Sequence, residues 1–210
     1  MDKKFKYIPK DKRKKILLIC DDIRVHSGVA TVAKEIVLHT CQHFNWVQIA
    51  GAIKHPDKGK KFDLSPDTNK EMGLQDSSVF LYPTDGYGNQ DLVRQMIKIE
   101  KPDAIFIITD PRYFSWLFQM EGEIRKQIPI IYLNIWDDYP APLYNKAFYE
   151  SCYALLGISN INKTISCVLS TTNVKLLQDS EPYPVFFLHL YHHEPLSHLE
   201  QGKTKARFDK

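Results

Sequence analysis

Polar residues that could bind or react follow an apolar run, residues 16–20, near the start of the chain. They are Asp21, Asp22, Arg24, His26, Ser27 and Gly28. An arginine presents a planar fork of N–H donors to a diphosphate, and a histidine titrates close enough to neutral pH to give or take a proton. A glycine lets the backbone come close to a ligand. The segment therefore predicts a site for a phosphate group or a polar sugar.

A helix is predicted to position this site. Apolar residues recur at the helical period between Gly28 and His43, and Ser27 stands before them as a cap. A helix that begins directly after a buried strand presents its unpaired N–H groups, and the positive end of its dipole, to whatever lies above that strand. The apolar run at 16–20 has the composition of such a strand.

The rest of the chain alternates between strand and helix patterns. Strands are predicted at Ile16–Cys20, Trp46–Ile53, Val79–Tyr82, Ala104–Thr109, Ile130–Trp136 and Ala154–Ile158. Helices are predicted at Gly28–His43, Gln90–Glu100, Tyr113–Gln127, Leu143–Cys152 and Asn160–Leu169. The polar stretch from Lys54 to Ser78 is predicted to be a loop with at most one short helical turn.

Nearly continuous apolar strands separated by helices are typical of a parallel sheet covered on both faces. We therefore predict a single Rossmann-like α/β domain whose parallel sheet has about six or seven strands, with helices on both faces. The central strands should be Ile16–Cys20, Ala104–Thr109 and Ile130–Ile135. Ligands of such sheets bind beyond the carboxyl ends of the strands, where the strand order reverses.

The later strand ends add residue types that bind sugars. Carboxylates and amides hydrogen-bond to sugar hydroxyls, and an aromatic ring packs against the apolar face of the sugar. The candidates there are Tyr87, Asp110, Trp136, Asp137, Asp138 and Ser159. The prediction of a sugar-binding site depends on these residues lying together at one rim of the sheet.

Each side chain taken singly also has a structural explanation. Arg24 can pair with Asp21 or Asp22 instead of a phosphate, and His26 can lie on a surface loop without a partner. An aspartate at a strand end caps the next helix about as often as it binds a ligand. Trp136 is a residue type found more often in the core than at a binding surface.

Residues 21–31, Asp-Asp-Ile-Arg-Val-His-Ser-Gly-Val-Ala-Thr, resemble the opening of the amino-terminal domain of GT-B glycosyltransferases, in particular retaining enzymes of the glycogen-synthase-like group. The resemblance covers roughly residues 14–169. It implies a nucleotide-sugar donor as substrate, with the glycine loop near the donor phosphates and the acceptor, in a cleft between two Rossmann-like domains. It implies no separate cofactor.

On this resemblance the candidate residues take two roles. The catalytic candidates are His26 and Asp137, and the ligand-binding candidates are Asp22, Arg24, Ser27, Gly28, Tyr87, Asp110, Trp136, Asp138 and Ser159. The resemblance assigns no protein nucleophile and no metal.

The resemblance ends near residue 170, where the family would continue into a second domain that holds much of the donor site. The predicted organisation is a basic arm at 1–13, the Rossmann-like domain at 14–170 and a divergent segment at 171–210. A fragment, a truncation or an altered reading frame would each explain this ending. The chain alone is expected to turn over a donor poorly, and to need a separate donor-binding domain or a second copy of itself.

The composition of the chain limits which partners it can bind and in which compartment it is expected. The net charge of +3 is small and the basic residues crowd into the first fifteen positions, which argues for a solvated arm and against a nucleic-acid partner. No apolar run reaches the roughly 18 to 20 residues of a membrane span, and no signal-type apolar segment precedes the first strand. These features predict a cytoplasmic chain without a membrane span.

Metal and disulfide sites are not predicted. The four cysteines, at positions 20, 41, 152 and 167, are scattered without a paired spacing. His189 and His193 have the i, i+4 spacing of zinc ligands, but no glutamate of zincin type lies between them and Pro195 breaks a helix. An extended apolar segment, Val185–Leu190, followed by a polar tail is the favoured interpretation.

Two other classes of protein share parts of this pattern. Receiver domains hold magnesium with an acidic pair after the first strand and an aspartate after the third, for which Asp21, Asp22 and Asp85 would serve. The lysine that such domains carry after the fifth strand is absent, because Trp136 and Asp137 stand there. A non-catalytic binding or assembly protein on the same fold remains the open alternative.

Overall fold

The computed structural model describes residues 8–136, 138 and 140–158, together with the backbone of 173–176. Eight strands form one sheet: β1 Lys14–Asp21, β2 Phe44–Gly51, β3 Phe62–Asp63, β4 Val79–Pro83, β5 Ala104–Ile108, β6 Ile130–Asn134, β7 Ala154–Gly157 and β8 Asn173–Leu176. The α-helices are α1 Gly28–Thr40, α2 Ser65–Met72, α3 Gln90–Glu100, α4 Ser115–Gln119, α5 Glu121–Ile124 and α6 Lys146–Ser151. Short 3-10 helices span Lys10–Lys12, Pro111–Phe114 and Leu143–Asn145.

The strand order is β3-β4-β2-β1-β5-β6-β7-β8. β3 runs antiparallel to β4, and every other pairing is parallel. From β1 the chain steps outward to β2 and β4, and it then crosses back to β5 on the other side of β1. The carboxyl ends of β1 and β5 therefore form the point where the strand order reverses. The predicted Rossmann-like sheet and the interior positions of β1, β5 and β6 are confirmed.

Alternate residues of the central strands enter two separate apolar cores. Leu18 of β1 packs on the face covered by α1, whereas Leu17 packs on the face covered by α3 to α6. Both faces of these strands are buried, which explains why they read as continuous apolar runs. None of the described helices combines the length and the apolar character that a membrane crossing requires.

The segment predicted as a loop contains β3 and the two-turn helix α2. The carboxylate of Asp63 accepts a hydrogen bond from the Ser65 N–H at 2.9 Å, and Gly73 ends the helix in the left-handed region, with φ of 66°. The buried positions of α2 are the polar residues Ser65 and Thr68. The segment therefore has no apolar stripe from which a helix could have been predicted.

The single helix predicted at Tyr113–Gln127 is wrong in its continuity. The chain there forms a 3-10 turn, α4 and α5, with non-helical backbone at Met120, where φ is −104° and ψ is 17°. This break lets Phe118 and Ile124 both enter the same core. The helix predicted at Asn160–Leu169 and the apolar segment Val185–Leu190 lie outside the described residues.

Candidate functional site

The carboxylate of Asp21, at the end of β1, is held from two sides. The Ser27 hydroxyl donates to Oδ2 at 2.6 Å, and the Tyr87 hydroxyl donates to Oδ1 at 2.8 Å. Ser27 Oγ in turn accepts the Ala30 N–H at 2.9 Å, so it caps α1 as predicted. Buried Asp21 thus fixes the cap of the helix as well as the end of the strand.

Asp22 is 1% exposed and its carboxylate is paired with Arg24. Arg24 donates through Nη2 to Oδ2 at 2.6 Å, through Nε to Oδ1 at 3.0 Å, and through its backbone N–H to Oδ1 at 2.9 Å. The hydrogen bond to Asp22 raises the pKa of Arg24. The guanidinium also lies 4.8 Å from the centre of the Phe62 ring, and Nη2 is 3.0 Å from His55 Nε2. The structural pairing considered for Arg24 is therefore present.

Donor groups remain at this β1–α1 junction, defined as residues 21–28. Arg24 Nη1 and the backbone N–H groups of Gly28 and Val29 make no hydrogen bond to any residue that the structure describes. Gly28 is exposed, and a Cβ built on it would meet no described atom within 4 Å. His26 is also exposed. The junction thus presents hydrogen-bond donors to the solvent and has space around its glycine.

Tyr87 reaches across the point where the strand order reverses. Its ring centre lies 5.3 Å from those of both Tyr113 and Phe114, which follow β5. The loop that carries it rests on β2, because a Cβ on Gly51 would come within 2.1 Å of the Gly86 carbonyl oxygen. Burial and the hydrogen bond to Asp21 raise the pKa of Tyr87, so its hydroxyl stays protonated as a donor.

Thr109, directly after β5, has a strained backbone. Its φ of 108° is unfavourable for a β-branched residue. Its hydroxyl is buried and has no hydrogen-bond partner of good geometry in the described part of the chain, although it lies close enough to Tyr87 to act against the rise in that residue's pKa. Strain of this kind at a strand end marks a position whose surroundings hold it in place.

A cleft opens one strand further along the rim, between the ends of β5 and β6. Its volume is about 180 Å³, and it is lined by Asp110, Pro111, Tyr132, Ile135, Trp136 and Asn145. We call it the β5–β6 cleft. Two of the residues predicted to bind a ligand, Asp110 and Trp136, are among those that line it.

A chain of hydrogen bonds orients the amide of Asn145 in this cleft. Asn134 Oδ1 accepts the Trp136 backbone N–H at 3.0 Å and the Tyr149 hydroxyl at 3.3 Å. The Tyr149 oxygen then accepts Asn145 Nδ2 at 3.4 Å. Asn145 is 1% exposed, and its Oδ1 has no partner among the described residues. A buried acceptor left in this state costs about 1 to 3 kcal/mol.

Tyr132 is the second buried polar group of the cleft. It is 1% exposed and its ring stacks on Tyr149 with 5.7 Å between the ring centres. Its hydroxyl makes no hydrogen bond to a described residue. Burial raises the pKa of Tyr132, so this hydroxyl is a protonated donor.

Asp110 forms one wall of the cleft and is already paired. Both of its carboxylate oxygens accept the Arg112 Nε at 2.9 Å, and Oδ1 also accepts the Arg112 backbone N–H. Burial alone would raise the pKa of Asp110, but the hydrogen bonds from Arg112 outweigh it and lower the pKa. The Arg112 guanidinium lies 5.0 Å from the centre of the exposed Tyr144 ring, which also packs on the edge of Trp136.

The predicted site residues thus fall into two groups. The β1–α1 junction holds Asp22, Arg24, His26, Ser27 and Gly28, with Tyr87 bonded to it from the loop after β4, and the β5–β6 cleft holds Asp110 and Trp136. The exposed Asp138 accepts the Trp136 indole N–H on its backbone oxygen at 2.8 Å. Asp137 and Ser159 lie outside the described residues. No group of three or more metal-binding side chains comes together within the described ranges.

Sequence reasoning missed Tyr132 and Asn145. Tyr132 lies inside an apolar strand and reads as a core residue. Asn145 stands directly before α6, where an asparagine reads as a helix cap, yet its side chain makes no capping hydrogen bond. The absence of this capping hydrogen bond indicates that the Asn145 side chain has another role, and it can be recognised only in the structure.

No protein-family model matches this chain, and no curated protein matches its sequence. The function therefore has to be argued from the site itself.

Proposed function

We propose that the chain is the amino-terminal domain of a GT-B glycosyltransferase, which transfers a sugar from a nucleotide-sugar donor to an acceptor. The observation that carries the proposal is the state of the β1–α1 junction. The carboxylates of Asp21 and Asp22 already accept hydrogen bonds, and Asp22 is also ion-paired with Arg24, while Arg24 Nη1 and two helix N–H groups remain as donors. These donors favour a ligand that carries several acceptor oxygens, such as a phosphate.

A diphosphate matches these donors chemically. Unpaired N–H groups at a helix N-terminus and a guanidinium both bind phosphate oxygens, and the helix dipole adds a favourable field. Gly28 leaves space for the ligand to approach the backbone. His26, exposed in the same junction, is the candidate acid or base.

In this proposal the described residues form one face of the donor site. Groups on both sides of the reacting sugar are needed to stabilise the charge that develops during transfer. The second face would come from a separate donor-binding domain or from a second copy of the chain. The proposal keeps Asp137 as a catalytic candidate and Ser159 as a ligand-binding candidate, and it places the reaction in the cytoplasm, in keeping with the buried free thiols of Cys20, Cys41 and Cys152.

The test is a calorimetric binding series with UDP-, GDP- and ADP-sugars. We expect one of these donors to bind the wild-type chain and the Gly28→Val variant to bind it at least about tenfold more weakly. Gly122→Val is the matched control, because Gly122 is also exposed, lies in a helix and has no described atom within 4 Å of an added Cβ. Equal weakening in both variants, or no binding of any of the three donors, would count against the proposal.

A non-catalytic binding protein on this fold is the second candidate. The observation that favours it is that His26 makes no hydrogen bond to a described residue, so nothing described orients it as an acid or base. A nucleotide-release assay separates the two candidates. Release that depends on an acceptor and is lost in His26→Ala or Asp137→Asn supports the enzyme, whereas donor binding without release supports the binding protein.

A further inference from the structure

Two side chains that line the β5–β6 cleft, those of Asn145 and Tyr132, carry polar atoms that the described residues do not bind. Asn145 Oδ1 and the Tyr132 hydroxyl belong to side chains that are each 1% exposed, and neither atom has a hydrogen-bond partner among the described residues. Buried polar groups are normally paired, so the buried Asn145 Oδ1, with the unbonded Tyr132 hydroxyl in the lining of the same cleft, indicates a missing partner. One of them is an acceptor only, and the other can donate and accept.

We propose that this cleft binds a single neutral ring bearing hydroxyl groups, a monosaccharide or a cyclic polyol, through Asn145 Oδ1 and the Tyr132 hydroxyl. A sugar hydroxyl donates to the amide oxygen, and the same or a neighbouring hydroxyl pairs with the tyrosine. The inference goes beyond the proposed donor site, because it uses different residues one strand further along the rim.

The size of the cleft limits the ligand to one ring. Its volume of about 180 Å³ corresponds to roughly six water molecules at their share of liquid volume, and an engineered cavity of about 150 Å³ holds a benzene ring. A dinucleotide or a nucleoside diphosphate exceeds this space. The apolar part of the lining, formed by Pro111, Ile135 and the Trp136 ring, matches the carbon-bearing face of a sugar.

The charge of the cleft favours a neutral ligand. The Asp110 carboxylate and the Asn145 oxygen in its lining would repel a phosphate. A cation would compete with Arg112, which already pairs with Asp110 and covers Tyr144. Hydroxyl groups avoid both conflicts, because they satisfy the amide oxygen and the tyrosine without adding charge.

The decisive variant is Tyr132→Phe. The Tyr132 hydroxyl has no described partner, so its removal should leave the unfolding midpoint unchanged while it removes one hydrogen bond to the ligand. We expect the ligand to bind about fivefold to tenfold more weakly. The matched control is Tyr82→Phe, which removes a hydroxyl that is bonded to Glu100 and is absent from the lining of the cleft.

The experiment is an NMR titration of the full chain with glucose, galactose, N-acetylglucosamine and myo-inositol, and with glucose 6-phosphate as the charged probe. The expected result is millimolar binding of at least one neutral ring, a shift of the Trp136 indole resonance without one at the buried Trp46, and loss of affinity in Tyr132→Phe but not in Tyr82→Phe. The Trp136 shift in the wild-type chain decides the question even if Tyr132→Phe fails to fold.

Three results would overturn the inference. They are no binding of any neutral ring, binding that Tyr132→Phe leaves unchanged, and tighter binding of glucose 6-phosphate than of glucose. None of them bears on the donor proposal, which is tested with nucleotide sugars and Gly28→Val. A failure of donor binding with retained binding of a neutral ring would likewise refute only the donor site.

Discussion

At the end of β1, the carboxylates of Asp21 and Asp22 accept hydrogen bonds from Ser27, Tyr87 and Arg24. At the ends of β5 and β6, Asn145 Oδ1 and the Tyr132 hydroxyl belong to buried side chains and have no partner among the residues described. Both regions lie on the same rim of one sheet, and each combines an acidic residue with an aromatic one.

The difference shows that the fold uses the polar residues at its strand ends to very different degrees. At the β1–α1 junction the acids hold the helix cap and the arginine in place, and the groups that remain for a ligand are N–H donors. In the β5–β6 cleft the acid is paired with Arg112, and the groups that remain are an amide oxygen and a hydroxyl. We therefore propose different ligands for the two regions, a phosphate-bearing donor at the first and a neutral polyol at the second.

The largest expected effect concerns the close packing behind the junction. Gly51→Ala should destabilise the chain by about 3 kcal/mol, because the new Cβ would lie 2.1 Å from the Gly86 carbonyl oxygen. Gly28→Ala should instead stabilise it by about 0.5 kcal/mol, because the Cβ has space and the unfolded chain loses freedom. Urea unfolding of the two variants measures both values, and equal destabilisation would show that Gly28 is also a packing residue.

The second prediction compares one carboxylate from each region. Asp22→Asn should cost about 2 kcal/mol, because the carboxylate is buried and accepts several hydrogen bonds from Arg24. Asp110→Asn should cost less than about 1 kcal/mol, because the side chain of its partner Arg112 is 58% exposed. Chemical denaturation at neutral pH measures the free energy of unfolding of both variants. A larger loss of stability in Asp110→Asn than in Asp22→Asn would show that the carboxylate of the β5–β6 cleft supports the fold more strongly than that of the junction.

The third prediction concerns the pH dependence of stability that arises from Glu100, a buried carboxylate with several hydrogen-bond partners. Glu100 accepts hydrogen bonds from Lys61, Tyr82 and Lys15. Burial alone would raise the pKa of Glu100, but these bonds outweigh it and lower the pKa from 4.5 to about 2. Because the folded-state pKa lies below the unfolded one, the stabilisation is complete above about pH 4.5 and is lost as the pH falls towards 2.

Urea unfolding between neutral pH and pH 2 follows this loss. The Glu100→Gln variant should be less stable at neutral pH and should show a shallower decline below about pH 4.5 than the wild-type chain. Parallel declines in the two proteins would assign the acid sensitivity to other carboxylates.

The sequence predicts the sheet well because its strands are buried on both faces. β5 and β6 begin at the predicted residues, Ala104 and Ile130, and α3 spans the predicted Gln90–Glu100. It fails for α2, whose buried residues are polar, and for the break at Met120, which is set by packing against the sheet. Sequence patterns report apolar residues at a regular period, whereas α2 buries polar residues and the break at Met120 interrupts the period.

The site is predictable only in part for a related reason. Residue type identifies Asp22, Arg24, Asp110 and Trp136 as polar or aromatic groups at strand ends, but it does not say which of them pair with each other. Pairing depends on loops that meet in space, such as the Tyr87 loop that crosses from β4 to β1. The orientation of the Asn145 amide depends on hydrogen bonds that link it through Tyr149 to Asn134, and residue type does not specify that the two side chains are linked in this way.

The most direct test of the contrast between the two regions is a matched pair of variants, Tyr87→Phe and Tyr132→Phe, unfolded in urea with and without the neutral ring that binds the wild-type chain. Tyr87→Phe should lose about 1 kcal/mol, because Asp21 loses a hydrogen bond, and it should keep the stabilisation that the ligand provides. Tyr132→Phe should keep its stability to within about 0.5 kcal/mol and lose most of the stabilisation by the ligand. The opposite result, with a destabilised Tyr132→Phe that responds fully to the ligand, would contradict the division between a hydroxyl that supports the fold, on Tyr87, and a hydroxyl that is left for a ligand, on Tyr132.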